Sequence, residues 1–153
     1  MSTLNLLGTK LLRTTALSCL LCLGAPAEAD QNIDFGDYVI HYNALNSSSI
    51  TPAVAKTYKI TRGQNHGVVV ISVLRKNAAA PQGVTSMLQG QVRNDIAQIS
   101  GLDFREIVEG NAVYYVGGFR HDNNERLSFL VNIQPEGQPS SYKLKFDQTF
   151  FIN

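Results

Sequence analysis

The chain has 153 residues, with 13 Lys and Arg against 12 Asp and Glu and a formal net charge of +1. That balance excludes a nucleic-acid binder, which needs a basic stripe to displace counterions. It also excludes a protein held electrostatically on a membrane.

Residues 1–29 carry an export pattern. Lys10 and Arg13 are the only charges before Glu28. An apolar run, Ala16 to Leu23, follows them, and Ala27-Glu28-Ala29 places small side chains where signal peptidase requires them. Asp30 is then the first mature residue. The run is too short for a transmembrane anchor, which takes about 20 apolar residues. Both cysteines, Cys19 and Cys22, lie inside this leader. Lipidation at Cys19 is the less favoured variant, because Ala16 stands where a leucine is expected. Cleavage leaves a cysteine-free domain, residues 30–153, with eleven charges of each sign. It is long enough to bury one core without disulfides and has no further segment apolar enough to span a bilayer.

From Phe35 to Leu45, Tyr38, Ile40 and Tyr42 alternate with polar neighbours, the mark of a half-buried strand. His41 falls on the other face and reads as a solvated or edge histidine. Thr51-Pro52 starts a short helix, with Thr51 as N-cap and Pro52 in its first turn. A helix there suits the corner between two sheets. Residues 62–67 form a loop. Val68 to Leu74 is apolar on both faces, a central strand. Residues 78–83 form a loop, and Val84 to Val92 reads as a less regular strand with a bulge at Gly90. Residues 94–99 fit either a short strand or a helical turn.

Leu102 to Glu109 is the next strand, and Gly110-Asn111 is a two-residue hairpin turn of a favoured kind. Ala112 to Arg120 follows, uncharged up to Phe119, so it is buried on both faces at the centre of a sheet. His121 to Asn124 is a polar turn. Leu127, Phe129, Val131 and Ile133 then alternate in a strand that completes a three-stranded meander over 102–134. Tyr142, Leu144 and Phe146 alternate with Lys143, Lys145 and Asp147 in a last, edge strand, where outward lysines discourage aggregation. Phe150-Phe151 tucks into the core. About seven strands with one short helix predict an immunoglobulin-like antiparallel β-sandwich, without a Cys…Trp…Cys core; a small barrel is the alternative.

No chemistry of catalysis stands out. His41, His66 and His121 lack the spacing that brings metal ligands to one face, and read as surface histidines. Asp122-Asn123-Asn124-Glu125 departs from the order of a calcium loop. Glu106 and Glu109 are three apart in one strand, so they point to opposite faces and cannot flank one bond. A Gly-x-Ser-x-Gly elbow, a phosphate loop and a dinucleotide fingerprint are all missing. Catalytic, cofactor and metal residues are therefore expected to be none.

Several segments together carry a resemblance: Phe35-Gly36-Asp37-Tyr38-Val39-Ile40-His41-Tyr42-Asn43-Ala44, Thr51-Pro52 with Val54-Ala55 and Tyr58, Ile60-Thr61-Arg62, Ile71-Ser72-Val73-Leu74, Phe104-Arg105-Glu106-Ile107 and Glu109-Gly110-Asn111-Ala112-Val113-Tyr114-Tyr115. Their order and spacing resemble the domain of unknown function 4426 family of small exported Gram-negative proteins. The resemblance implies a periplasmic β-sandwich and carries over no functional residue.

Binding is the expectation by elimination: a non-enzymatic periplasmic sandwich that takes a protein or peptide partner of the cell envelope. A small-molecule binder or small hydrolase is the alternative. The interaction surface is expected at Gly117 and Gly118, and at Lys143 and Lys145 on the last strand, which can accept an added β-strand. The loops at 63–67 and 121–124 are further candidates. Gly117-Gly118 has two readings: a bulge or close-packing site under a large neighbour such as a tyrosine, or the floor of a groove.

Overall fold

The computed structural model describes residues 31–76, 80 and 82–152. The expected leader and cleavage site, with both cysteines, lie outside the described residues, as does most of the 78–81 stretch.

Two antiparallel sheets face each other. In chain order the strands are β1 (Gln31–Phe35), β2 (Tyr38–Asn46), β3 (His66–Arg75), β4 (Gln82–Gly83), β5 (Ser86–Asn94), β6 (Ile99–Leu102), β7 (Phe104–Glu109), β8 (Ala112–Arg120), β9 (Glu125–Pro135) and β10 (Tyr142–Phe150). The larger sheet runs β1-β2-β3-β8-β7, with β4 beside β3. The smaller runs β10-β9-β5-β6. The fold is thus an all-β sandwich, with ten strands among the described residues rather than about seven.

Parity along each strand builds the core. Ile40, Val69, Ile71 and Val73 of the larger sheet meet Val131, Ile133 and Leu144 of the smaller, each fully buried. Aromatic rings fill one end. Phe129 stacks on Phe146 at 4.6 Å and 7°, while Phe119 meets Phe129 and Phe150 edge-on, each at 5.0 Å. Such ring pairs add about 0.5–1.5 kcal/mol to the area they bury.

The strand from Ala112 lies between β3 and β7, at the centre of its sheet as predicted, but it is not buried on both faces: Tyr114, Gly118 and Arg120 are exposed on its outer side, because the opposite sheet covers only the inner one. The three-stranded meander does not form. The β7–β8 hairpin belongs to the larger sheet, but β9 pairs with β10 and β5 in the smaller. Residues 121–124 therefore cross the sandwich. Alternation says which side of a strand is apolar, not which sheet covers it, so a crossing and a hairpin look alike in sequence. Leu102 and Phe104 part for the same reason. Leu102 ends β6 in one sheet and Phe104 opens β7 in the other.

Three further expectations change. β1 adds a hairpin around Gly36-Asp37, with Gly36 at φ +64°. The helix α1 (Pro52–Thr57) forms with Thr51 as its cap, yet it joins β2 to β3 of the same sheet instead of turning a corner. Residues 94–99 form the β5–β6 turn, where Asn94 and Gln98 exchange backbone and side-chain hydrogen bonds of 2.9–3.1 Å. At the end of the chain Phe150 is buried but Phe151 is 52% exposed.

Gly90 is not a bulge, because its pairing with Val131 and Leu102 is in register. It is a close-packing point. The Phe104 ring lies between the sheets, so that a Cβ on Gly90 would come within 2.6 Å of it and a Cβ on Gly117 within 3.1 Å.

Candidate functional site

The outer face of the larger sheet is covered at one end by the β2–β3 connector, and local chemistry dictates its path. The hydroxyl of Ser47, fully buried, exchanges hydrogen bonds with the Gly63 backbone at 3.1 and 3.3 Å. The helix α1 ends in a paired backbone lock, Ile60 N–H to the Ala55 carbonyl at 2.8 Å and Lys59 N–H to the Lys56 carbonyl at 3.3 Å. That motif requires a left-handed residue after the helix, usually glycine. Here it is Lys59, at φ 52°. Arg105 of β7 donates to the Lys59 carbonyl at 3.2 Å, and Tyr58 donates to Glu109 at the far end of β7. The Glu109 carboxylate raises the Tyr58 pKa above the usual tyrosine value.

This connector and the sheet enclose a hollow of about 320 Å³. Its floor is Val68, Val116 and Gly118, with Val68 and Val116 buried beneath it. Lys59, Ile60 and Thr61 form one wall, and His66, Arg105 and Arg120 supply the other polar lining. The volume lies at the small end of ligand pockets, about 300–1,000 Å³. Gly118 faces it with nothing within 4 Å of where a Cβ would sit.

The two adjacent glycines therefore do different things. Gly117 points inward and lets the Phe104 ring approach, a phenylalanine where a tyrosine was the expected kind of neighbour. Gly118 points outward into the hollow. Neither is a bulge, since both stay paired with Val69 and Val68.

Lys143 and Lys145 are not near this place. They project from β10 of the smaller sheet, an edge strand as expected. Lys145 borders a shallow depression on that sheet's outer face with Arg93 and Asp147. One ion pair lies there: Arg126 pairs with Asp147 at 2.8 Å, and the Ser128 hydroxyl and Arg126 hold the Asp147 carboxyl below the usual carboxylate range.

The histidines also differ from expectation. His66 lies in β3, not in a turn, and lines the hollow. His121 is buried at 3% exposure between Phe119 and Phe150, because the sheet crossing carries it inward. Its backbone N–H donates to Asn65 at 3.2 Å, joining the two predicted loops. Among the described residues no group of three or more His, Cys, Asp or Glu is placed to hold a metal ion, and no helix is long and apolar enough to cross a membrane.

Lys59, Arg105 and Arg120 were not singled out from the sequence, whereas His66 falls in the 63–67 loop that was a further candidate. For Arg105 a signal existed. Counting back from the Gly110-Asn111 turn puts Arg105 opposite Val116, on the face that Gly118 and Arg120 share. Lys59 had none, because its place depends on how the connector folds back.

Comparison with known proteins bears on the fold and the family. No curated protein matches the chain. Among solved structures, the chain is similar to a DUF4426 family protein of Pseudomonas aeruginosa PAO1, with 27% identity, a TM-score of 0.70, and coverage of 80% of this chain and 95% of that one. It is similar in fold alone to FetP of uropathogenic Escherichia coli strain F11, expressed recombinantly in the periplasm of E. coli, at 7% identity and a TM-score of 0.56 over 79% of this chain and 93% of that one. A copper-bound variant of that FetP gives 8% identity and a TM-score of 0.55, over 80% and 95%. The family described as Domain of unknown function (DUF4426) matches residues 32–153, nearly every residue of the sandwich, and the chain belongs to that family.

Proposed function

We propose that the protein is exported to the periplasm with loss of residues 1–29, and serves there as a non-enzymatic sandwich that binds a protein or peptide partner of the envelope at the Gly118 hollow. One observation carries the site. A central strand, flanked by β3 and β7, leaves an outward side-chain position empty at Gly118, on the floor of a walled concavity. Elsewhere the interior closes such positions by packing. The likeness to FetP is compatible with an exported sandwich, but the copper of that variant does not carry over on a likeness of fold.

Two measurements test this reading. Full-length protein produced in a Gram-negative host should be recovered from the periplasm with a mass that begins at Asp30; retention of residues 1–29 in the cytoplasm would overturn export. Tagged protein drawn from that fraction should bring one partner with it, and Gly118→Trp, which fills the hollow, should lose it. Repeated lone recovery of the wild type, or equal capture by the variant, overturns the binding site. A small-molecule ligand is the second reading, favoured by the modest size of the hollow and its mixture of apolar floor and polar rim.

A further inference from the structure

We infer that the group the hollow accepts is a carboxylate on an extended acidic segment of the partner; this rests on the reading of the hollow as a binding site. Three cationic side chains converge on it from three separate elements: Lys59 from the end of α1, Arg105 from β7 and Arg120 from β8. Like charges gathered in one concavity repel each other unless a counter-charge enters. The ion pairs of the described residues, Lys76–Asp34 and Arg126–Asp147, involve none of the three.

The two carboxylates of β7 are engaged elsewhere, and Asp122 and Glu125 share a separate depression with Arg120, where Glu125 accepts from the Asp122 N–H and from Asn94. On β7, Glu109 accepts from Tyr58, and Glu106 lies on the inner side and accepts from Tyr115 at 2.6 Å. Arg105 spends one donor on the Lys59 carbonyl, and a guanidinium has five. That bond holds its planar fork in place, which favours a planar, two-oxygen partner. Lys59 occupies a left-handed backbone position, where glycine would be less strained. The strain is compatible with a lysine retained for its side chain. Below the cations, Val68 and Val116 offer apolar floor to the methylenes of an acidic side chain. The chain as a whole is nearly neutral, so this concentration of charge is local.

The test uses the mature protein and two synthetic probes, a capped peptide of alternating Gly and Glu and its Gln counterpart, with backbone amide NMR to locate contact. The Glu peptide should shift amides of residues 59–61, 66–68 and 116–120, and bind more weakly as salt rises. Lys59→Gln and Arg120→Gln should each weaken it about tenfold, the worth of one charge-assisted hydrogen bond. Lys145→Gln, on the other sheet, should leave it unchanged. Thermal melts matching the wild type establish that each variant folds. Equal binding of both peptides at these residues overturns the carboxylate while the binding site stands. Binding of inorganic phosphate but not of the Glu peptide also overturns it. Absence of any probe binding, with a natural partner still captured through Gly118, overturns the carboxylate alone; loss of that capture as well removes the site.

Discussion

The two faces of β8 are made by the same nine residues and do opposite work. Its inner face presents Val113, Tyr115, Gly117 and Phe119 to the core, all buried. Its outer face presents Ala112, Tyr114, Val116, Gly118 and Arg120, and only Val116 is fully covered. Inside, space left by a missing side chain is filled: the Phe104 ring lies against Gly117, and the Phe119 ring lies over Gly67. Outside, the space at Gly118 stays open. One strand can thus hold the sandwich together and floor a binding hollow, because successive side chains alternate across the sheet.

Four substitutions test that contrast. The largest effect belongs to Phe119→Ala, which removes a ring meeting Phe129 and Phe150. It should cost about 3–5 kcal/mol in urea unfolding. A loss under about 1 kcal/mol, the scale of surface changes, would show that the inner face does not carry the fold.

Gly117→Ala comes next, at about 1–3 kcal/mol from overpacking. The added methyl would lie 3.1 Å from the Phe104 ring, and Gly90 abuts the other side of that ring and blocks its retreat in that direction. The gentler alternative is that the ring escapes toward solvent, and an unchanged urea midpoint would reveal it.

Tyr115→Phe should cost roughly 1–3 kcal/mol, because it leaves the buried Ser86 N–H without its acceptor. It should also alter the alkaline limb. Burial, and then the hydrogen bond to Glu106, raise the Tyr115 pKa above the usual value. An unfolded tyrosine releases its proton near pH 10, before the folded one does. Above that pH the unfolded state binds fewer protons than the native state, so stability falls as pH rises. The variant should show a shallower decline between pH 9.5 and about 11, with a residue left from Tyr58, whose shift has the same sign. Identical slopes in variant and wild type would remove Tyr115 as the source.

Gly118→Ala should be the smallest, within about 0.5 kcal/mol of wild type, with its methyl entering open space. A loss equal to that of Gly117→Ala would erase the difference between the two faces.

Much of this fold was legible in the sequence because it rests on short-range rules. Thr51-Pro52 names a helix start through the capping of free N–H groups. Gly110-Asn111 names a hairpin, and its Gly110 has φ +58°. Val68–Leu74 names a central strand by being apolar on both faces. The hollow was only half legible. Gly117-Gly118 was marked as unusual, but which glycine faced the core depended on strand parity relative to the opposite sheet. Lys143 and Lys145 drew attention through their regular spacing, whereas the cations at the hollow are scattered across positions 59, 105 and 120.

By itself, then, the amino-acid order determined most of the strands, the alternation of their apolar sides, the family and the absence of gross charge. The strands and their alternation follow from neighbours a few residues apart, and the family and the charge from the order and sum of residues along the whole chain. Only the tertiary structure decided that Asp103 and residues 121–124 carry the chain between sheets, and that the β2–β3 connector lies back over β8. Those choices turn on packing between residues distant in sequence, where one apolar face can be covered by several alternatives of similar pattern. The hollow over Gly118 exists because of that choice, so no local stretch of sequence describes it.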